Sequence, residues 1–309
     1  MSSERCAVVD FSLSEEQLAH VAWVREFMDA HVRPVAPRLD KISDPDERFP
    51  WEIVEKAHAA GLMRFGLPQR YGGTPVDEVT LCLIMEEFGA ADVGATGVIA
   101  QYWNCISLID RMGSDFHRDT FIRPYLDNPR AVYALAMTEP TAGTDAQLPF
   151  DSPDGGPMLE AVPDGDEVVL NGVKTYISYS NVADVIIVFA RTDRSVGLTQ
   201  GITAFVVTKD TPGFRVARTF DLMGHRLAPI ARLEFEDCRI PKAHQLTAWN
   251  AASPRCRASR WGATGSARGV SVSPGLPSSW PSTTPRPACR AASPSSSTRW
   301  SHARSGRWR

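Results

Sequence analysis

The end of the chain lacks most of the residues from which folded domains are built. From Trp249 to Arg309 there is no Lys, Asp, Glu, Ile, Phe, Tyr, Gln or Met, and the last acidic residue of the chain is Asp237. Ten Arg, five of the eight Trp and many Ser, Pro and Ala fill this tail instead. The whole chain has a net charge of -3, so the residues before the basic tail are strongly acidic. An acidic body with a basic tail is typical of a nucleic-acid or membrane arm, which is one interpretation of the tail.

Several other signatures are missing. The six Cys form no CxxC pair and have no His at metal-ligand spacing, so neither a metal site nor a redox motif is predicted. No apolar run approaches the roughly 18 residues of a membrane span, and the N-terminus has no signal-peptide pattern. The absence of GxGxxG at a strand-to-helix turn argues against a nicotinamide dehydrogenase. We expect a cytoplasmic protein with reduced thiols.

The first part of the chain has helical periodicity. From Phe11 apolar residues recur at three-residue spacing, Ser12 and Glu15 fit a capping box, and Pro34 ends the pattern. The spacing predicts four further helices, over 51–64, 77–90, 96–112 and 116–127. Residues 11–128 are therefore predicted to form an all-α domain.

The period then changes to that of strands. Six runs rich in β-branched residues are separated by Gly, Pro and Asp, and they begin at AVYALAMT and end at ARLEFEDCRI. Helices followed by strands predict an α+β fold, with a small antiparallel β-sandwich or barrel over 131–241. Residues 248–309 form a third, low-complexity region, which we expect to be disordered.

One loop concentrates chemistry-bearing residues. AMTEPTAGTD, residues 136–145, follows a predicted strand and combines hydroxyls, two carboxylates and an Ala-Gly step. Such a loop allows close backbone approach to a polar ligand. A polar β-turn without a ligand would have the same composition, so the spacing alone leaves both interpretations open.

Three ordered motifs resemble the acyl-CoA dehydrogenase family over residues 11–245. AMTEPTAGTDA resembles its signature strand and loop, LNGVKTYISYSNVADVIIVFART its second signature, and PGFRVARTFDLMGHRLAPIARLEFEDCRIP the strands that complete its middle domain. FGLPQRYGG and MEEFGAADVG resemble its helical N-terminal domain. The resemblance implies a helical domain, a middle β-domain and a C-terminal four-helix bundle.

The resemblance also implies a set of cofactor-binding positions. Tyr176 stands where the family usually has Trp against the flavin ring, and Ser178 where it usually has Thr; an aromatic plane and a hydroxyl are kept in both. Leu135 replaces a position that is commonly aromatic. The positions implied to line the flavin and the acyl thioester, with Thr144 also contacting substrate, are Leu135, Met137, Thr138, Gly143, Thr144, Tyr176 and Ser178.

The activity implied is FAD-dependent α,β-dehydrogenation of an acyl-CoA thioester to the 2-enoyl-CoA. In this family the base is a Glu of the C-terminal bundle, so no residue of this chain is assigned as catalytic. Electrons would pass to an electron-transfer flavoprotein, and the intact parent would be a homo-oligomer. Neither a nucleic acid nor a metal is implied.

Other candidate residues have simpler interpretations. Glu139 and Asp145 resemble an acid–base pair, but the family uses neither as its base, and hydrogen bonds that shape the loop are the favoured role. Arg226 in MGHR could contact a CoA phosphate or an adjacent subunit; a structural salt bridge is the alternative. None of the seven His fits a metal geometry.

We hypothesise that the tail results from a change of reading frame near the codons for Thr247 and Ala248. If each codon begins one base earlier, residues 281–309 can read AIDYAKTRVQGGKPIIEHQMVARAIGEMA, which is a helix, a turn and a second helix resembling the family's bundle. The same offset gives VGRDRIRAG near Arg260 and GVERGFAALQG after Thr247. As written, the chain would be a truncated and impaired form of the enzyme. A genuine Ser/Pro/Arg linker is the alternative, and the five Trp argue against it.

Two rival functions remain. The first is a flavin-dependent oxidase or monooxygenase with the same fold, which would differ mainly in residues of the bundle. The second is a non-catalytic protein whose basic tail binds nucleic acid or anionic lipid. The tail has the charge for the second function but contains no Lys and no binding-fold motif.

Overall fold

The computed structural model describes residues 12–143 and 152–250, and in them helices come first and strands second. The α+β order predicted from the sequence is confirmed. Phe11 and the residues beyond 250 lie outside the described residues. A π-helical turn, Met28–Val32, follows the first helix. The helices are α1 Glu15–Phe27, α2 Ala36–Leu39, α3 Trp51–Ala59, α4 Glu78–Ala91, α5 Val93–Met112 and α6 Asp115–Phe121.

The start of α1 differs from the prediction. The N-cap is Ser14, whose hydroxyl accepts a hydrogen bond from the Gln17 backbone N–H at 3.1 Å, while the Gln17 side-chain oxygen accepts from the Ser14 N–H at 2.9 Å. The predicted capping box of Ser12 and Glu15 is therefore wrong. The two serines lie two residues apart and are each followed at the third position by Glu or Gln, so the spacing does not distinguish them.

The helical domain is organised around α5, its longest helix. Trp103 on α5 is fully buried and donates its indole N–H to the carbonyls of Leu62 and Met63, at 3.2 and 3.0 Å. Its ring packs near Phe65 and Phe88 at centroid distances of 6.4 and 5.6 Å. A buried indole needs an acceptor for its one donor, and the turn after α3 supplies two. This contact fixes the turn against α5.

Among its described residues, the middle domain forms a seven-stranded sheet with a mixed pairing pattern. Strand β1 runs parallel to β4 over four residue pairs, while β4 pairs antiparallel with β5 and β3 pairs antiparallel with both β2 and β7. The sequence did not predict β2, which is short, carries a Pro and is mostly exposed. The strands are β1 Tyr133–Ala136, β2 Glu160–Asp164, β3 Glu167–Ser178, β4 Val185–Arg191, β5 Ile202–Thr208, β6 Phe214–Phe220 and β7 Ile230–Pro241.

One contact between the helices and the sheet depends on a glycine. Tyr179, directly after β3, is buried and donates its hydroxyl hydrogen to the Gly94 carbonyl at 3.0 Å. A Cβ at Gly97, one turn further along α5, would lie 2.3 Å from the Tyr179 hydroxyl oxygen. The absence of a side chain at position 97 therefore allows the end of β3 to contact the start of α5.

A charged cluster forms a second contact between the two domains. Arg48, before α3, is 1 % exposed and donates to the Ile42 and Ser43 carbonyls, each at 2.5 Å, and to the Asp221 carboxylate at 2.6 Å. Arg226 reaches the same carboxylate at 3.0 Å and the Asp40 carboxylate at 3.0 Å. The Arg48 hydrogen bond, followed by smaller contributions from Arg226, holds the pKa of Asp221 below its usual range.

His117 of α6 lies near His244 of the segment after β7, whose ring packs against Phe121 of α6 at a centroid distance of 4.9 Å. Acid should weaken this contact. Burial lowers the pKa of both His117 and His244 in the folded state. Near pH 6.5 the unfolded chain therefore binds protons at these two side chains that the folded chain does not bind. The free energy of unfolding should therefore fall as the pH drops below about 6.5. Urea unfolding at about pH 8 and pH 5.5 would measure this loss, which should shrink in the double variant H117N/H244N. An equal loss in that variant would rule out the two histidines as its source.

Candidate functional site

The loop that follows β1 is closed by a tight turn. The Glu139 N–H donates to the Ala142 carbonyl at 2.8 Å, and the Ala142 N–H donates back to the Glu139 carbonyl at 3.2 Å. Pro140 stands at the second turn position, where its fixed φ is favourable. The turn projects Pro140 and Thr141 toward solvent and leaves Ala142 buried. The polar β-turn considered from the sequence is thus present, and its carboxylate has a further role.

The Glu139 side chain turns inward and forms an ion pair with Lys174 of β3. Lys174 Nζ lies 2.8 Å from Glu139 Oε1 and 3.0 Å from the Met137 carbonyl oxygen, and its side chain is fully buried. The same carboxylate accepts hydrogen bonds from the N–H groups of Met158 and Leu159, at 2.7 and 2.8 Å. Loop-shaping hydrogen bonds are therefore the observed role of Glu139. Asp145 lies outside the described residues.

Burial acts strongly on the Lys174 ammonium. Removal from water lowers the pKa of Lys174 from its ordinary value to about 8, while the adjacent Glu139 carboxylate opposes part of that shift. At neutral pH the amine is therefore mostly protonated, and it can donate to both the carboxylate and the Met137 carbonyl. The charge is held in place by hydrogen-bond partners.

Strand β3 bulges where the cofactor is expected. Lys174 pairs with Leu233 and Ile177 with Ala231, so Thr175 and Tyr176 together oppose a single residue of β7. Tyr176 has a φ of 55°, in the left-handed region, and its side chain is 57 % exposed. Its ring stacks on Phe220 of β6, with centroids 4.9 Å apart and planes at 24°. The bulge presents a supported aromatic ring to solvent.

The loop and the bulge are joined directly. The Thr175 N–H donates to the Thr138 carbonyl at 2.9 Å, which places Thr138 beside the strand that carries Tyr176 and Ser178. Ser178 is half-buried and pairs with Ile230. The structure thus brings together two hydroxyls and one exposed ring from separate parts of the sequence.

The other predicted positions differ in how far they are exposed. Leu135 is half-buried within an otherwise buried β1, and the Met137 side chain is buried in the core, with its carbonyl bound to Lys174. Gly143 has open space where a Cβ would lie, with no atom within 4 Å. Thr144, the predicted substrate contact, lies outside the described residues. The flavin contacts of these residues remain predictions.

The sequence analysis did not predict a role for Lys174 or Phe220, both of which support the candidate site. Lys174 has the same period-two phase as the buried Val168 and Leu170, which is a readable signal of a lysine that points inward. Phe220 gave no comparable signal, because its partner Tyr176 lies on a distant strand and the stack depends on the bulge. Arg226, which could have contacted CoA, instead lies in the ion-pair cluster with Asp40 and Asp221.

Residues 12–143 and 152–250 contain neither a candidate metal site nor a candidate membrane-spanning helix. No three His, Cys, Asp or Glu side chains in these ranges are grouped so that they could hold a metal ion. No helix in the same ranges has the length and apolar character needed to cross a membrane. Cys82, Cys105 and Cys238 are free thiols, and burial raises the pKa of Cys238 to about 12.

Two family models match almost all of the described structure. The acyl-CoA dehydrogenase N-terminal domain matches residues 14–128, and the acyl-CoA dehydrogenase middle domain matches residues 134–238. Together they cover the helices, the loop after β1 and the sheet up to β7. They also include all seven predicted cofactor positions.

Curated relatives and solved structures agree with these matches. A short-chain specific acyl-CoA dehydrogenase from Clostridium acetobutylicum is 35 % identical over 240 residues, which are 77 % of this chain and 59 % of that protein. Butyryl-CoA dehydrogenase from Megasphaera elsdenii superposes with a TM-score of 0.66 at 27 % identity, over 78 % of this chain and 61 % of that one. A glutaryl-CoA dehydrogenase from Mycobacterium smegmatis in complex with FADH2 superposes with a TM-score of 0.67 at 26 % identity, over 83 % of this chain and 64 % of that one. The chain thus spans about three fifths of the length of these proteins.

Proposed function

Because the chain belongs to the acyl-CoA dehydrogenase family, we propose that the protein in its full reading frame dehydrogenates an acyl-CoA thioester to the 2-enoyl-CoA, with FAD as cofactor. The observation that carries this proposal is the joined loop and bulge, where a backbone hydrogen bond from Thr175 holds Thr138 beside the strand that bears Tyr176 and Ser178. The relatives include short-chain specific and butyryl-CoA dehydrogenases, which supports a short acyl group.

The residues present fit a flavin. An isoalloxazine ring needs a flat apolar surface on one side and hydrogen-bond donors at its edge. Tyr176 offers an exposed ring that Phe220 supports from behind, and the hydroxyls of Thr138 and Ser178 can donate at the edge. Leu135, Met137, Gly143 and Thr144 complete the proposed lining, and Thr144 is the proposed substrate contact. Bound FAD would supply the two-electron oxidation by accepting a hydride from the β-carbon.

The chain's own residues bind and orient in this proposal. The protein must also stabilise the enolate that forms when the α-proton leaves, which requires donors to the thioester oxygen and a carboxylate base. No residue before position 248 is proposed as that base. We assign it to the segment whose reading frame has changed, and we propose an electron-transfer flavoprotein as acceptor, a homo-oligomeric parent and a cytoplasmic location.

We infer that the domains are 11–128, 131–241 and an out-of-frame segment, 248–309. The frame that begins one base earlier restores helix-forming sequence over three separate stretches of this segment. An earlier start corresponds to the net loss of one nucleotide, or the gain of two, upstream of the codon for residue 248. Since one offset serves all three stretches, a single event accounts for the whole tail.

The exposure of Tyr176 gives a direct test of the flavin proposal. Replacement Y176A removes the ring that would stack on the cofactor, and we expect FAD affinity to fall at least about fivefold, since an aromatic stack contributes roughly 1 kcal/mol beyond area burial. Y176W, which restores the family's usual ring, should bind FAD at least as tightly as the parent chain. Equilibrium titration by quenching of flavin fluorescence measures both.

The control is a second exposed aromatic side chain, Phe116 on α6, which lies outside the site. F116A should leave FAD affinity unchanged. Equal affinities for Y176A and the parent chain would remove Tyr176 from the site. Oxygen consumption in place of acyl-CoA-dependent dye reduction, measured on the frame-restored protein, would favour the oxidase or monooxygenase alternative.

A further inference from the structure

The ion pair of Lys174 and Glu139 is unusual for its degree of burial. The two side chains are 0 % and 5 % exposed. A fully buried ion pair adds little net stability, because the loss of hydration offsets most of the attraction, and apolar residues of similar volume serve equally well or better. Its place in the sheet therefore suggests a role in fixing geometry.

The hydrogen bonds of the pair join three separate segments. Lys174 belongs to β3, its Nζ holds the Met137 carbonyl of the loop after β1, and Glu139 holds the N–H groups of Met158 and Leu159 before β2. Both ends of residues 140–157 are thus attached to one point of β3. Each bond involves either a charged group or a backbone group with a fixed direction, so the arrangement defines position more sharply than apolar contacts would.

The point of attachment lies next to the bulge. Lys174 is the last residue in regular register with β7 before Thr175 and Tyr176 leave it. The adjacent Thr175 N–H bonds the Thr138 carbonyl at 2.9 Å, so the loop and the bulge are joined through neighbouring residues. A shift of the Lys174 side chain would move Met137 and Thr138 relative to Tyr176.

We propose that Lys174 and Glu139 are positioning residues that set the separation between the loop bearing Thr138 and the bulge bearing Tyr176 and Ser178. This inference rests on the proposed flavin site for its purpose. Both side chains are buried, so neither is assigned to the lining of the proposed flavin site. The pair acts through the carbonyl of Met137 and the backbone bond between Thr138 and Thr175.

The test uses the full chain and the double variant K174M/E139Q. K174M alone leaves a buried unpaired carboxylate and would unfold much of the protein. The added E139Q change removes that charge and keeps one acceptor oxygen, which can serve one of the N–H groups of Met158 and Leu159. We expect the urea midpoint of the double variant to lie above that of K174M alone, because no unpaired charge is left buried. The Thr175 amide should exchange with solvent at least about tenfold faster, and amides of β4 and β5 should keep their rates. FAD affinity should fall about tenfold, with an altered visible circular dichroism of the bound flavin.

The matched control is K209M, which removes the exposed Lys209 ion pair with Asp184 on the same sheet. It should change neither Thr175 exchange nor FAD affinity. An unchanged Thr175 rate in K174M/E139Q would overturn the proposal, as would faster exchange with unaltered FAD affinity and spectrum. If neither the parent chain nor the frame-restored protein binds FAD while Thr175 exchange accelerates in the variant, the fixing of the loop stands and the proposed function falls.

Discussion

Restoration of the reading frame ahead of residue 248 is expected to produce acyl-CoA-dependent dye reduction at least about a thousandfold above that of the chain as written. A positioned general base alone contributes on the order of 10²–10⁴ in rate, and the restored segment would supply the base that residues 12–143 and 152–250 are not proposed to contain. Insertion of one nucleotide before the codon for residue 248 makes the change. Steady-state reduction of an artificial electron acceptor with a short acyl-CoA measures it.

Three nucleotides inserted at the same place provide the control, since they add one residue and leave the frame unchanged. This control should remain as inactive as the chain as written. Equal activity in the written and the restored proteins would refute both the frame proposal and the assignment of the base. Resequencing of the region around the codons for Thr247 and Ala248 tests the frame independently of activity.

Replacement of Arg48 by Met is expected to lower the free energy of unfolding by about 3 kcal/mol, the range found when one partner of a buried charged network is removed. Arg48 is 1 % exposed, and Met cannot replace its hydrogen bonds to the Ile42 and Ser43 carbonyls or to Asp221. Asp221 is more than half exposed and can return to water, so the unpaired carbonyls account for much of the loss. Urea unfolding at neutral pH, followed by circular dichroism, measures the change.

Arg226 is the matched control, because it binds the same Asp221 carboxylate from a more exposed position. R226M should cost less than about 1 kcal/mol, as is usual for ion pairs near solvent. R48K should fall between the two, since a lysine keeps the charge without the planar fork that reaches three acceptors. A loss in R226M as large as that in R48M would show that charge at Asp221, rather than the buried bonds of Arg48, stabilises the contact.

The order of the domains was predictable because periodicity is a local property. The shift from three-residue to two-residue spacing is visible in the letters, and it separated helices from strands correctly. Strand β2 escaped because Pro163 and its exposed neighbours carry no apolar signal. The parallel pairing of β1 with β4 was not predicted either, because the sequence of a single strand does not specify which distant strand it pairs with.

The candidate site was predictable only in part. The motifs pointed to the loop after β1 and to the strand that carries Tyr176, and the structure joins these two through Thr138 and Thr175. A bulge in β3 gives Tyr176 its left-handed conformation and allows its ring to stack on Phe220. This bulge was not predicted from the sequence. The ion pair could not be predicted, because Glu139 and Lys174 are 35 positions apart in the chain and only the fold brings them together.

The contact between Gly97 and Tyr179 has an evolutionary consequence. A side chain at position 97 would occupy the space of the Tyr179 hydroxyl, and a shorter side chain at position 179 would leave the Gly94 carbonyl without this donor and a gap beside α5. Substitution at either position alone is therefore unfavourable, while a larger residue at 97 paired with a smaller one at 179 restores the fit. In descendants of this sequence, substitutions at positions 97 and 179 should therefore occur together. Covariation between the two positions would reflect the contact between the helices and the sheet.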